Sequence, residues 1–71
     1  MEVRILSVLR KIFPNVNIDS NVDNLEDWDS INHLRCILSL EEEFNIMFTP
    51  EEIMEMDSVK KIMLLINDKI T

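Results

Sequence analysis

Glycine is missing altogether from this 71-residue chain, and proline occurs only twice. Phosphate-cradling loops need glycine where the backbone closes on the phosphate. A dinucleotide-binding fingerprint and a P-loop are therefore both excluded. Most tight hairpins go with them. Cysteine is reduced to Cys36, so there is no internal disulfide and no cysteine-based zinc site. A reducing, cytoplasmic setting fits that usage. No apolar run approaches the roughly 20 residues of a membrane span, and the N-terminus shows no signal-peptide pattern, so no membrane insertion is expected.

What the chain does contain is enough apolar residue to fold. Hydrophobic residues make up 46% of it, an ordinary share for a globular domain. The length predicts one small domain that buries only about 60% of its unfolded surface, with stability on the order of 5 kcal/mol. Charge is unevenly spread. Residues 19–57 hold twelve of the fourteen acids and one of the seven Lys/Arg, a local charge of −11, while the two ends together carry +4. Nucleic acid and anionic membrane are poor partners for such a middle, and basic protein surfaces are good ones. Acids that simply solvate a helical domain account for the charge equally well.

Taken in order, the periodicity predicts helices throughout. From Glu2 to Phe13, Ile5, Leu6, Val8, Leu9, Ile12 and Phe13 share one broad face at about 100° per residue. Pro14 stops that helix, since the residue before a proline is driven out of the helical region. Residues 14–29 are rich in Asn and Asp, with Val16, Ile18, Val22, Leu25 and finally Trp28 spaced as anchors pinning a long loop onto a core. Asp29 then stands as an N-cap, and Ser30 opens a second helix to Phe44. Ile31, Leu34, Ile37, Leu38, Leu40 and Phe44 are read as a wide buried face, opposite Asn32, Arg35, Ser39, Glu42 and Glu43. Thr49-Pro50-Glu51-Glu52 is a strong start signal for a short third helix. Asp57-Ser58 caps a last one over 59–70, with Val59, Ile62, Met63, Ile66 and Ile70 as its stripe. No stretch alternates long enough to make a strand. The expected fold is all-α: a small four-helix bundle with a long first loop and a short third helix.

Candidate chemistry is sparse. His33 and Cys36 lie three apart on the second helix, but no third group is placed to orient His33, and Cys36 falls near the edge of the apolar face. Met47, Met54, Met56 and Met63 read as adaptable core filler in preference to a binding groove. Asp19-Ser20-Asn21-Val22-Asp23 spaces oxygens as a calcium loop does, yet Asn24 stands where that loop needs Gly, and Ser30 where it needs a bidentate Glu. Ser30 itself would hold its hydroxyl beside unpaired N–H groups at the positive end of a helix dipole, where a phosphate is well placed. A serine that merely starts a helix explains the residue as simply.

Several segments agree with one another at this point. Asp29-Ser30-Ile31, then Leu34, Leu38 and Leu40, Glu41-Glu42-Glu43-Phe44, Ile46, Phe48, Pro50-Glu51-Glu52-Ile53, Ser58-Val59 and Ile66 together resemble an acyl carrier protein. The resemblance is unbroken over residues 30–66 and weaker over the first helix and loop. It implies a non-enzymatic four-helix bundle that receives a phosphopantetheine arm from coenzyme A and carries cargo as a thioester on the arm's thiol. Ser30 would be the attachment residue, and Asp29 would support the transfer. The partners implied are a phosphopantetheinyl transferase, an acyl-loading ligase or synthase, and downstream acyl-transfer enzymes. They would meet a monomer through Ile31, Asn32, Arg35, Glu41, Glu42 and Met54.

The chain also departs from that family. Carriers of fatty acid synthesis usually place acids on the exposed early turns of the second helix, where Asn32 and Arg35 stand here. Many keep Gly before the Asp-Ser pair, where this chain has Trp28. The first departure sets the chain apart from carriers of the general fatty acid machinery, and Trp before Asp-Ser resembles stand-alone carriers dedicated to particular pathways. Leu38 and Ile62 look bulky for positions that line an acyl chamber, so cargo is expected to be short or polar, or to stay outside the bundle. A helical interaction module with no prosthetic group is the alternative reading.

Overall fold

A computed structural model of the protein describes residues 2–70, and four helices account for most of them. They are α1 (Glu2–Arg10), α2 (Ser30–Phe44), α3 (Pro50–Glu55) and α4 (Val59–Ile70). Among the described residues there is no strand, only an isolated antiparallel bridge between Asn21 and Ser58. No helix among them is long and apolar enough to cross a membrane.

The core is one cluster. Ile5, Val8 and Leu9 of α1 meet Cys36, Ile37 and Leu40 of α2 and Val59, Ile62 and Ile66 of α4, with Phe13, Val16, Trp28, Phe48 and Met56 closing the ends. Full burial stabilises each such large side chain by about 1.5–3 kcal/mol. α1 and α2 run antiparallel. Arg4 near the start of α1 reaches Glu43 near the end of α2, its Nε donating to Oε2 at 2.9 Å and Nη2 to the Glu43 carbonyl at 3.0 Å. The same guanidinium lies 4.5 Å over the Phe44 ring. A cation at a helix C-terminus is well placed against the dipole. The pair is exposed, so its own contribution is about 0–1 kcal/mol.

Helix ends follow local chemistry. Thr49 and Glu52 form a reciprocal capping box, each accepting the other's backbone N–H. Ser58 Oγ accepts from the Lys61 N–H at 3.2 Å, starting α4. In a chain without glycine, Asn45 ends α2 in the left-handed region at φ 54°, and its N–H donates to the Glu41 carbonyl. Asparagine is among the few other residues that adopt this conformation at low cost.

The long loop is held twice over. Locally, Asn17 Oδ1 accepts from Asp19 N–H, and Asn21 Oδ1 from Asp23 and Asn24 N–H, so Asn21, one of the residues that mimic a calcium loop, serves the backbone, while Asp19 Oδ1 pairs with Lys60 at 3.2 Å. At long range, Val22 N–H donates to the Asp57 carbonyl and Val59 N–H to that of Ser20, both at 3.0 Å, tying the loop's middle to the entry of α4.

Several expectations are corrected. Periodicity carries the first helix to Phe13, but α1 ends at Arg10. Beyond it Lys11 and Ile12 bond three residues back, tightening the turn that leads Phe13 into the core. The buried face of α2 is narrower than its apolar face: Ile31, Leu34 and Leu38 are exposed, because α1 and α4 cover only one side of the helix. Leu38 therefore does not line the bundle interior, whereas Ile62 does. Val22 is 40% exposed and is held by its backbone rather than its side chain. Of the methionines read as core filler, Met56 is fully buried and Met63 packs against the core, while Met47 and Met54 lie outside it. Ile70, assigned to the α4 stripe, also sits at its exposed end.

Candidate functional site

Asp29 is extended at φ −98°, ψ −178°, and its Oδ1 accepts the Asn32 N–H at 2.8 Å. It is the N-cap, and Ser30 is the first residue of α2. Asn32 locks the junction from the other side, its Nδ2 donating to the Asp27 carbonyl at 2.8 Å. This clamp turns the chain sharply out of the loop and leaves Ser30 exposed on the outer edge.

Ser30 stands on the rim of an open cleft of about 610 Å³ between the start of α2 and α3. Val22, Trp28, Leu34, Ile53 and Met54 supply its apolar lining, and Asp29, Ser30, His33 and Asp57 its polar groups. Few, fixed polar groups in a mainly apolar cleft are the usual make-up of a small-molecule site. Apart from His33, the ionisable residues on the lining are the two aspartates.

Trp28 forms the back of the cleft. It is buried, and its ring stacks on Phe13 with centroids 5.0 Å apart. Its Nε1–H donates to His33 Nδ1 at 2.9 Å, and His33 Nε2 lies 2.9 Å from the Ile53 carbonyl. The expectation that nothing orients His33 is thus corrected: both ring nitrogens are engaged. Trp28 and His33 lie five apart across a helix start, a separation at which no regular helix spacing flags a contact. Cys36 is corrected too. It points into the core at 0% exposure, not along the edge of the apolar face, and burial pushes its thiol up to about 12. A thiol so placed is inert as a nucleophile.

The residues assigned to partner contact are dispersed. Ile31 and Met54 are exposed, at 73% and 83%; Met54 lines the cleft, and Ile31 follows Ser30 on α2. Arg35 is exposed and its Nη1 donates to Asn32 Oδ1 at 3.2 Å, making a polar pair one turn beyond Ser30. Glu42 is exposed further along α2. Glu41 is half-buried, and its Oε2 accepts the Phe48 N–H at 2.9 Å, bracing the connection to α3. Glu52, on α3, is held below the usual glutamate range by hydrogen bonds from Lys69 and from the Thr49 backbone, the Lys69 contact measuring 2.8 Å.

Among family models, curated proteins and solved structures, none matches this chain.

Proposed function

We propose that the protein is a discrete carrier, modified at Ser30 by a phosphopantetheine arm and loaded with an acyl or aminoacyl group as a thioester. One observation carries this reading above the bare motif: the exposed Ser30, first residue of a fifteen-residue helix, opens directly onto a mainly apolar cleft. The residues present fit the group. A phosphodiester on Ser30 would lie at the first turn of α2, where backbone N–H groups have no partner within the helix. The arm's apolar and amide portions would find both kinds of lining beyond it. When bound, the arm supplies a thiol and reach; this chain supplies an exposed hydroxyl, the Asp29 carboxylate beside it and a sheltered surface. Nothing in the reading asks the chain for catalysis of its own. The closed core around Ile62 supports cargo that is short or polar, or that stays outside the bundle.

The partners of such a carrier are a phosphopantetheinyl transferase, a loading ligase or synthase, and enzymes that take the acyl group. Ile31, Arg35 and Met54 offer contact near Ser30 and Glu42 further along α2, and the acidic middle of the chain steers basic surfaces toward them. The four-helix, acyl-carrier-like arrangement and a stand-alone, pathway-dedicated role belong to this same proposal.

The exposed stripe of Ile31, Leu34 and Leu38 favours a second reading, a helical interaction module with no prosthetic group. Intact mass separates the two. After incubation with coenzyme A and a broad-specificity transferase, the carrier gains one arm and Ser30→Ala gains none. No addition, under conditions that modify a control carrier, leaves the module.

A further inference from the structure

The bonds between Trp28, His33 and Ile53 assign one protonation state. An indole N–H only donates, so His33 Nδ1, 2.9 Å away, presents its lone pair. A carbonyl oxygen only accepts, so Nε2, 2.9 Å from the Ile53 oxygen, carries the proton. The ring that satisfies both ends is neutral, in the Nε2–H form, a tautomer fixed by its partners.

This ring joins three parts of the cleft. Trp28 ends the long loop, His33 belongs to the first turns of α2, and Ile53 lies on α3. α3 has six residues, too few to hold a helix in place by itself, so its ties to the rest of the fold position it. On its far side Glu52 pairs with Lys69 of α4. On the cleft side the side-chain tie comes from His33.

We propose that His33 is a positioning residue for the Ser30 cleft: with Trp28 and the Ile53 carbonyl it forms a proton-sensitive strut that sets α3 against the loop. A proton taken from solvent by Nδ1 uses the lone pair that the indole N–H needs, so the Trp28 end parts. The Nε2–H bond to Ile53 survives and becomes charge-assisted. The other charged groups lining the cleft are Asp29 before α2 and Asp57 before α4; α3 contributes neutral Ile53 and Met54, and Phe13 backs Trp28. The imidazolium thus keeps its hold on α3, in the field of two carboxylates, while Trp28 loses its polar partner. Acid loosens the wall of the cleft formed by the loop, and neutral pH fixes it. The strut stands on geometry alone; its consequence for cargo rests on Ser30 being the attachment point.

The test uses the whole chain, whose single tryptophan makes emission a direct reporter of Trp28. Imidazole nitrogen NMR of the unaltered protein at neutral pH is expected to show Nδ1 bare and Nε2 protonated; the reverse tautomer overturns the proposal without any variant. On acidification from neutral pH, Trp28 emission is expected to change in a one-proton step. His33→Asn, which can offer an amide oxygen near the Nδ1 position, should keep the neutral-pH emission and lose the step. His33→Gln, which can retain a donor toward Ile53, should resemble the acid form at every pH. A flat profile in the unaltered protein overturns the strut, as does the same step in His33→Asn, which would assign it to Asp29 or Asp57. The functional arm measures transferase modification of Ser30 as the ratio of unaltered protein to His33→Asn at each pH, which cancels the transferase's own profile. That ratio should change about fivefold over the step, the weight of one ordinary hydrogen bond. Modification with a constant ratio overturns the link to the cleft. Absence of modification at any pH removes the carrier reading instead, and the two spectroscopic results still decide the strut.

Discussion

Two apolar stripes run along α2 and meet opposite fates. Cys36, Ile37 and Leu40 are at most 2% exposed, whereas Ile31, Leu34 and Leu38 are 73%, 55% and 64% exposed. Both stripes belong to one continuous helix, and leucine and isoleucine appear in each. What differs is the surface opposite. α1 and α4 join the buried stripe in one core cluster, while the exposed one meets the cleft only through Leu34, across from a six-residue helix whose Met54 is itself exposed. A chain of 71 residues supports one core, and one core covers one side of its central helix. Apolar periodicity therefore reports which residues lie together, and the neighbours decide which stripe becomes structure and which stays available.

The sharpest way to break this comparison is to truncate the buried stripe. Leu40→Ala removes a fully buried side chain and leaves a cavity between helices, at an expected loss of about 2–5 kcal/mol. Against a total on the order of 5 kcal/mol, only about 0–3 kcal/mol would remain, so the urea midpoint should fall to well below that of the unaltered protein. Urea unfolding followed by circular dichroism measures it, and a loss below about 1 kcal/mol would show that the wall opposite Leu40 is loosely packed.

A smaller effect is expected at the junction between loop and α2, where fold and proposed function share a residue. Asp29→Ala deletes the acceptor of the Asn32 N–H and should lower stability by about 0.5–2 kcal/mol. Asp29→Asn keeps an oxygen there and should recover most of that loss. If Asp29 also supports transfer to Ser30, the asparagine variant will be stable yet modified more slowly. Equal modification of Asp29→Asn and the unaltered chain would leave Asp29 as a cap alone.

Much of this is legible in the residues alone, for reasons that differ by region. Asp29, Thr49 and Ser58 are short-range signals, readable because a cap bonds within three residues of itself. The start of α2 and the limits of α4 follow from such caps and from periodicity. The exposure of Leu34 and Leu38 does not follow, since it depends on how few elements the chain has to cover them. Nor do the bonds between Trp28, His33 and Ile53. They join a loop end to a helix twenty residues on, and their chemistry is a donor–acceptor match that has no spacing rule. Trp28 can be read as an anchor, but its polar edge needs a partner from outside any single helix.

The tie on the far side of α3 offers a test of pH. Glu52 is depressed below its ordinary value, so its contact with Lys69 favours the fold at pH above that value and is lost as pH falls through the lower, folded value. Acid should thus weaken the fold by a small amount below about pH 4.5. Lys69→Met should flatten that part of a stability–pH profile measured by thermal unfolding. An unchanged slope would place the acid sensitivity on other carboxylates. The contact is near the surface, and the capping-box bond from Thr49 persists in the variant, so the difference should be modest.

The smallest effect on stability is expected at the exposed stripe, and its smallness is what makes it informative. Leu34→Ser with Leu38→Ser removes apolar surface that remains largely in water in the folded chain, so little burial is lost and no core cavity opens. The double variant should unfold within about 1 kcal/mol of the unaltered protein in urea, much of it the lower helix propensity of serine. Solubility should rise, since the stripe adds to the exposed apolar surface beside the cleft. If the protein is a carrier, Ser30 in this variant should still accept the arm, with loss confined to enzymes that grip α2 as a helix. If it is an interaction module, the same substitutions should abolish partner binding while Ser30→Ala changes nothing. A loss of stability above about 1.5 kcal/mol would mean that something in the chain does cover the stripe, and the contrast between the two faces of α2 would then be one of degree.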